Sequence, residues 1–292
     1  MIYKYDASII GGDSRQTYLA SFLNKSGFKI ITFGLSGNIS AKTADKADSL
    51  HHAMELSNTL ITPIPFSRDK VNINSTYRDS GSLSIEEFTA CLNQQHYLIG
   101  GNLPEKVTED CKAKNISYYD LMKNESLVLF NAISTAEGAI AEAILKSNIN
   151  LHRNNVLVLG YGKCGRVLAS KLNALGANVT VAARKESALT EAYINSLSYI
   201  QINENNLDVR DFNFIFNTIP SPVLNEKILS SVSSDTTIID IASSPGGVDY
   251  ECAERLNLNA HLCLGIPGRT APKSSAEFLA KAIIPILKER SD

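Results

Sequence analysis

The segment Gly160-Tyr161-Gly162-Lys163-Cys164-Gly165 follows an apolar run, Val156-Leu157-Val158-Leu159, and opens an amphipathic stretch over residues 163–175. Few short patterns restrict a fold as tightly. A strand must enter this turn and a helix must leave it. Gly160 permits the tight turn, Gly162 lets backbone approach a pyrophosphate, and Gly165 lets the helix pack closely on the strand. The N–H groups at the start of the helix then hold the anion. A β-rich run at residues 178–182 completes the βαβ unit.

The end of that second strand selects the dinucleotide. An NAD site usually places an acid there for the ribose hydroxyls. Here stand Ala183, Arg184 and Lys185, followed by Ser187. An acid would repel a 2′-phosphate, whereas a guanidinium can hold it with two charge-assisted bonds. NADP is therefore expected over NAD, the competing reading being a solvated basic turn.

Further strands are expected at residues 212–216, 237–241 and 261–264, each followed by a turn rich in Gly, Pro or polar residues. In parallel sheets ligands sit outside the carboxyl ends of the strands. Asn217, Thr218, Ile219 and Pro220 are expected to contact the cofactor, together with Ala242, Ser243 and Ser244. Ser243, Gly246, Gly247 and Pro267 are also candidates for substrate contact. Asn225 is expected to open a short helix, and Ser274 and Ser275 to cap a closing helix over residues 274–287.

The first half alternates in the same way, with strands expected near residues 7–10, 28–33, 58–62, 97–99 and 116–118. Ser84-Ile85-Glu86-Glu87 has the capping-box pattern of a helix start. Strands alternating with helices imply parallel sheets covered on both faces. Gly12, Asp13 and Arg15 follow the first strand as a candidate anion turn, and Arg78 lies in a polar loop over residues 66–82. Residues 131–138 break the rhythm before an Ala-rich helix over residues 135–146, with Thr135 as its expected cap and Glu137 in its first turn. The expected organisation is therefore a first domain over residues 1–130, a connector over 131–151, a nucleotide domain over 152–273 and a terminal helix over 274–292 packing back on the first domain.

Charge narrows the function. Of the 292 residues, 28 are Lys or Arg and 30 Asp or Glu, with no basic excess in either half, so a nucleic-acid surface is not expected. No apolar stretch approaches bilayer-spanning length, because residues 282–287 are broken by Pro285, and the N-terminus lacks a signal-peptide pattern. Five scattered cysteines argue against a disulfide framework or a zinc site, and a cytoplasmic chain without a metal is expected. None of the five histidines stands in the turns after the second-half strands, where a hydroxyl-oxidising dehydrogenase would place its base.

Six segments resemble the A-subunit family of bacterial dipicolinate synthases: IIGGDSRQ at 9–16, NAISTAEGAI at 131–140, the stretch 158–184 around the glycine turn, FNTIPSPVLN at 216–225, IDIASSPGGVDY at 239–250 and LGIPGRTAPKSSAEF at 264–278. The chain departs from the family pattern at Ser134, where Pro is common, and near Arg269, where an apolar residue is common.

The resemblance implies two doubly wound α/β domains, the first flavodoxin-like or Rossmann-like and the second a Rossmann NAD(P)-binding domain, as in formate/glycerate and alanine dehydrogenases. It implies oxidation of dihydrodipicolinate, or of its hydroxytetrahydro precursor, to pyridine-2,6-dicarboxylate in the mother cell of a sporulating bacterium. A flavoprotein-like B subunit is the implied partner, and a homo-oligomer is expected. Such a dianionic ring substrate calls for cations: Lys273, Arg15 and Arg78 are the candidates, with Thr135 and Glu137 as candidate substrate or proton contacts. The alternatives are another amino- or hydroxy-acid dehydrogenase of this architecture, or a non-catalytic NADP-sensing module.

Overall fold

The computed structural model describes residues 3–35, 44–76, 83–203 and 207–291. Arg78 lies outside the described residues. The chain forms two compact units, one of residues 1–130 with 271–292 and one of residues 131–270.

The first unit runs β1 (Ala7–Ile10), α1 (Ser14–Lys25), β2 (Ile30–Phe33), β3 (Asp45–Lys46), α2 (Leu50–Glu55), β4 (Thr59–Ile61), α3 (Ile85–Cys91), β5 (Tyr97–Gly100), α4 (Glu105–Ala113) and β6 (Ser117–Asp120). Its described strands are parallel in the order β3-β2-β1-β4-β5-β6. Ser84 caps α3 as its sequence pattern predicts, accepting from the N–H groups of Glu86 and Glu87. The run β1 is wholly buried, because a central parallel strand is covered on both faces.

A helix of 22 residues, α5 (Glu125–Lys146), leads into the second unit. It begins ten residues before the sequence-based expectation. Asn124 is its cap, its side-chain oxygen accepting from Leu127 N–H at 3.0 Å. Thr135 is thus mid-helix and caps nothing; its hydroxyl donates to the Asn131 carbonyl at 2.8 Å. Glu137 is likewise not in a first turn. The expectation that no segment is long and apolar enough to span a bilayer also fails, since α5 has that length and composition. Part of its apolar surface builds cores, while Leu129, Phe130, Ile144 and Leu145 are exposed. Leu127 lies in the core of the first unit, and Ala136, Ala139, Ile140 and Ala143 lie in that of the second.

The second unit continues β7 (Asn155–Leu159), α6 (Lys163–Ala174), β8 (Asn178–Ala183), α7 (Glu186–Ile194), β9 (Ser198–Gln201), β10 (Phe214–Asn217), α8 (Glu226–Leu229), β11 (Thr237–Asp240), α9 (Tyr250–Arg255), β12 (Asn259–Leu262) and α10 (Ile266–Thr270). The order is β12-β11-β10-β7-β8-β9, all parallel. Both units therefore have the same doubly wound order, reversing beside their first strand.

The chain ends in α11 (Pro272–Ser291), part of the first unit. It starts two residues earlier than the sequence suggests. Pro272 occupies the first helical position, where its missing N–H costs nothing, and Ser275 N–H closes the turn on Ala271. Ser274 and Ser275 are therefore inside the helix, not caps. Residues Ala276, Leu279, Ala280, Ile283 and Leu287 share a core with Leu19, Ala20 and Leu23 of α1, so the terminal helix does pack on the first domain. Arg290 stacks over the Tyr97 ring at 4.4 Å.

Candidate functional site

The strand order places a switch point in the second sheet between β7 and β10, and the glycine turn leaves β7 there. Gly160 has φ +92°, and a side chain on it would run into Thr218 and Ile219. Gly165 sits directly against the Gly160 carbonyl. Gly162, by contrast, is exposed, and a Cβ there would meet no protein atom within 4 Å. It is the N-cap of α6, with no side chain capping that helix and no acid in its first turn. A helix start without a side-chain cap, its positive dipole end and free space over Gly162 suit a pyrophosphate. The residues fit a dinucleotide.

The corresponding helix of the first unit is closed. Asp13 caps α1, accepting from Arg15 N–H at 3.0 Å, and Gln16 reaches back to Asp13 N–H at 3.0 Å. The Gln16 side chain fills the space beside Gly12. Arg15, expected to offer its charge to a substrate, is buried at 4% exposure. Its guanidinium donates to both oxygens of Asp13 and, at 2.6 Å, to the Ile64 carbonyl. This pairing holds the Asp13 carboxyl below its usual range against the opposing effect of its burial. Arg15 thus joins the ends of β1 and β4 and is already neutralised by Asp13.

Around the open turn, Tyr161 is buried, and the Arg166 guanidinium lies 5.9 Å from its ring while pairing with Glu191 of α7 at 2.7 Å. Burial pushes the Cys164 thiol up, which suits a packing residue. Thr218 donates its hydroxyl to Leu159 carbonyl at 2.9 Å. At the end of β8, Ala183 is buried, while Arg184, Lys185 and Ser187 are exposed. Lys163 is exposed at the start of α6.

Asn217, expected to contact the cofactor, turns inward and is fully buried. Its amide donates to Asp240 at 2.8 Å and to the Ile219 carbonyl at 3.0 Å, and its oxygen accepts from Ile219 N–H at 3.1 Å. Asp240 and its partner Tyr250 were not singled out from the sequence. The Tyr250 hydroxyl donates to Asp240 at 3.0 Å, and burial together with that carboxylate drives the phenol well above its ordinary range. An Asp closing an apolar strand was the available signal. Beyond it, Ala242, Gly246 and Gly247 are buried while Ser243 and Ser244 are exposed, and Pro220 is exposed beside half-buried Ile219.

The remaining candidates stand on three different helices. Glu137 accepts from Lys171 at 2.9 Å within the second unit. Pro267 is buried in α10 rather than in a loop. Lys273 is exposed in the first turn of α11, in the first unit. A cavity of about 710 Å³ lined by Tyr193, Leu197 and Tyr199 opens at the start of β9, the opposite strand end from Gly162.

Residues 6–122 match the family described as the N-terminal domain of the dipicolinate synthase A subunit, and residues 148–250 match a putative NAD(P)-binding family. The dipicolinate synthase A subunit of Bacillus subtilis (strain 168) is 31% identical over 296 residues, covering 97% of this chain and 95% of that protein. The chain belongs to the family of dipicolinate synthase A subunits.

Solved structures agree. The A subunit from Bacillus halodurans superposes with a TM-score of 0.86 at 29% identity, over 98% of this chain and 99% of that one. The Bacillus subtilis A subunit gives 0.83 at 27% identity, over 99% and 97%. An L-alanine dehydrogenase shares the fold, with a TM-score of 0.64 at 11% identity over 98% of this chain and 90% of that one. This member of the family thus carries an NAD(P)-binding domain of Rossmann type, and the open turn at Gly162 lies inside it.

Proposed function

We propose that this chain oxidises dihydrodipicolinate, or its hydroxytetrahydro precursor, to pyridine-2,6-dicarboxylate with NADP, acting with a B subunit. The observation that carries this is the open N-terminus of α6 in a chain 31% identical to a dipicolinate synthase A subunit over 97% of its length. The nicotinamide nucleotide, when bound, supplies the hydride acceptor. Residues 160–165 hold its pyrophosphate and Arg184, with Lys185, its 2′-phosphate.

From dihydrodipicolinate the reaction removes one hydride and one proton, and from the hydroxytetrahydro precursor it must also expel the hydroxyl as water; aromaticity favours the product in both cases. A ring dicarboxylate needs cations, and Lys273 is the exposed candidate. Arg15 acts through Asp13 as a positioning residue for the turn at Gly12, because its charge is already matched. Thr135 and Glu137 are committed to Asn131 and Lys171, so water takes the proton.

The test is absorbance in the NADPH band with freshly generated dihydrodipicolinate, with a B subunit present or absent, using NAD as the comparison. Growth of the band with NADP is expected. No reduced nucleotide under any of these conditions sinks the proposal.

A further inference from the structure

Asp240 closes β11 and is completely buried. Its carboxylate receives four hydrogen bonds. One oxygen accepts from Asn217 Nδ2 at 2.8 Å and Ala242 N–H at 3.0 Å; the other accepts from Gly247 N–H at 2.7 Å and the Tyr250 hydroxyl at 3.0 Å. The partners come from the end of β10, from both ends of the 242–247 turn and from α9. All four are uncharged donors. A buried carboxylate is costly unless it is saturated this way, so the arrangement fixes the geometry of everything bonded to it.

The turn is packed hard onto this hub. A Cβ on Gly246 would come within 2.6 Å of an Asp240 oxygen, and one on Gly247 would overlap the Asn217 amide. Ser243, Ser244 and Pro245 project from the tied turn and are exposed. In a doubly wound sheet the two halves divide the dinucleotide between them. With β7 and β8 taking the adenosine half, the carboxyl ends of β10 and β11 take the nicotinamide half.

We propose that Asp240 is the positioning residue of the nicotinamide half-site, setting the turn at 218–221 against the turn at 242–247 before nucleotide arrives. This rests on the NADP reading above. Asp240→Asn would point an N–H₂ at donors on one side of the hub, facing either Ala242 and Asn217 or Gly247 and Tyr250. Tyr250→Phe removes one donor and leaves the carboxylate.

The experiment is calorimetric titration of wild type and both variants with two probes, NADP+ and adenosine 2′,5′-bisphosphate, which lacks the nicotinamide half. Asp240→Asn should raise the Kd for NADP+ about tenfold and Tyr250→Phe about threefold, with the bisphosphate within about twofold of wild type. Should Asp240→Asn fail to fold, Tyr250→Phe decides. Equal weakening of both probes would mean a general loosening of the domain and would overturn the inference, as would unchanged NADP+ binding in both variants. Wild type binding neither probe removes the nucleotide reading and this inference together. Wild type binding both, with variants unaffected, removes the inference alone.

Discussion

A side-chain carbon on Gly165 would collide with the carbonyl oxygen of Gly160. Backbone cannot swing away as a flexible side chain can, so Gly165→Ala must displace the glycine turn or the first turn of α6. Overpacking of this kind costs about 1–3 kcal/mol. Gly162→Ala is the companion variant. Its φ of −80° suits any residue and a Cβ there meets no protein atom. It should keep wild-type thermal stability yet weaken NADP+ binding by more than about tenfold, since the methyl occupies pyrophosphate space. Thermal melts with and without NADP+ check the pair. Full NADP+ affinity in Gly162→Ala would show that the phosphate lies elsewhere.

Stability should fall in mild acid through His96. The ring is buried, Nδ1 accepts from Asn93 N–H at 3.1 Å and Nε2 lies 3.1 Å from the Met54 carbonyl. A carbonyl can only accept, so the proton is assigned to Nε2 and the neutral ring satisfies both contacts. Burial lowers its pKa from the ordinary 6.5 despite the opposing bond to Met54. Between the two values the unfolded chain binds a proton that the native chain refuses. This contribution is present above pH 6.5 and is lost as pH falls toward the folded pKa, by at most about 1.4 kcal/mol per unit. Urea unfolding at pH 7.5 and 5.5 should show the loss, and His96→Gln should shrink it. His261, also lowered by burial, leaves a residual slope. An equal slope in wild type and His96→Gln would rule this out.

What the sequence disclosed was local. The run into Gly160, the capping pattern at Ser84 and the cap at Asn225 are each written within a few residues, and each is where the pattern predicts. The edge strand β9 was missed because Ser198, Tyr199 and Gln201 are exposed and leave no burial pattern. Asp45–Lys46 is polar for the same reason. The start of α5 was misplaced because Asn131, Ser134 and Thr135 read as a break, while the cap at Asn124 has no capping box, Leu127 standing where Glu or Gln would. At the site, Asp13 inactivating Arg15 and Asp240 gathering Asn217 and Tyr250 are through-space events. Sequence shows which groups can pair, but not which do.

Lys273 is exposed in the first turn of α11, in a different compact unit from the glycine turn. Lys273→Met keeps the length of the side chain and removes its charge. If Lys273 holds a substrate carboxylate, the KM for the ring dicarboxylate should rise about tenfold or more, as for loss of one charge-assisted bond. The Kd for NADP+ should stay within about twofold. Steady-state kinetics with a separate nucleotide titration distinguishes the two effects. Normal turnover in the variant would remove Lys273 from the proposal.

Arg184 and Lys185 give the sharpest test of cofactor choice. Both are exposed directly beyond β8, where the ribose of the adenosine half belongs, and Lys185 opens α7 without making a side-chain cap. Neither makes an ion pair among the described residues. A 2′-phosphate there gains charge-assisted bonds worth about 1.5–3 kcal/mol, so Arg184→Ala should cut the preference for NADP+ over NAD+ by about 10–100-fold. NAD+ affinity should barely move, because NAD+ has no phosphate at that position. Raising salt should weaken NADP+ binding by wild type more than NAD+ binding, and that difference should shrink in the variant, since exposed charges are screened. Parallel titrations of both nucleotides at low and high ionic strength measure all of this. An unchanged preference in the Arg184→Ala, Lys185→Ala double variant would leave these two cations as a solvated turn and remove the ground for choosing NADP.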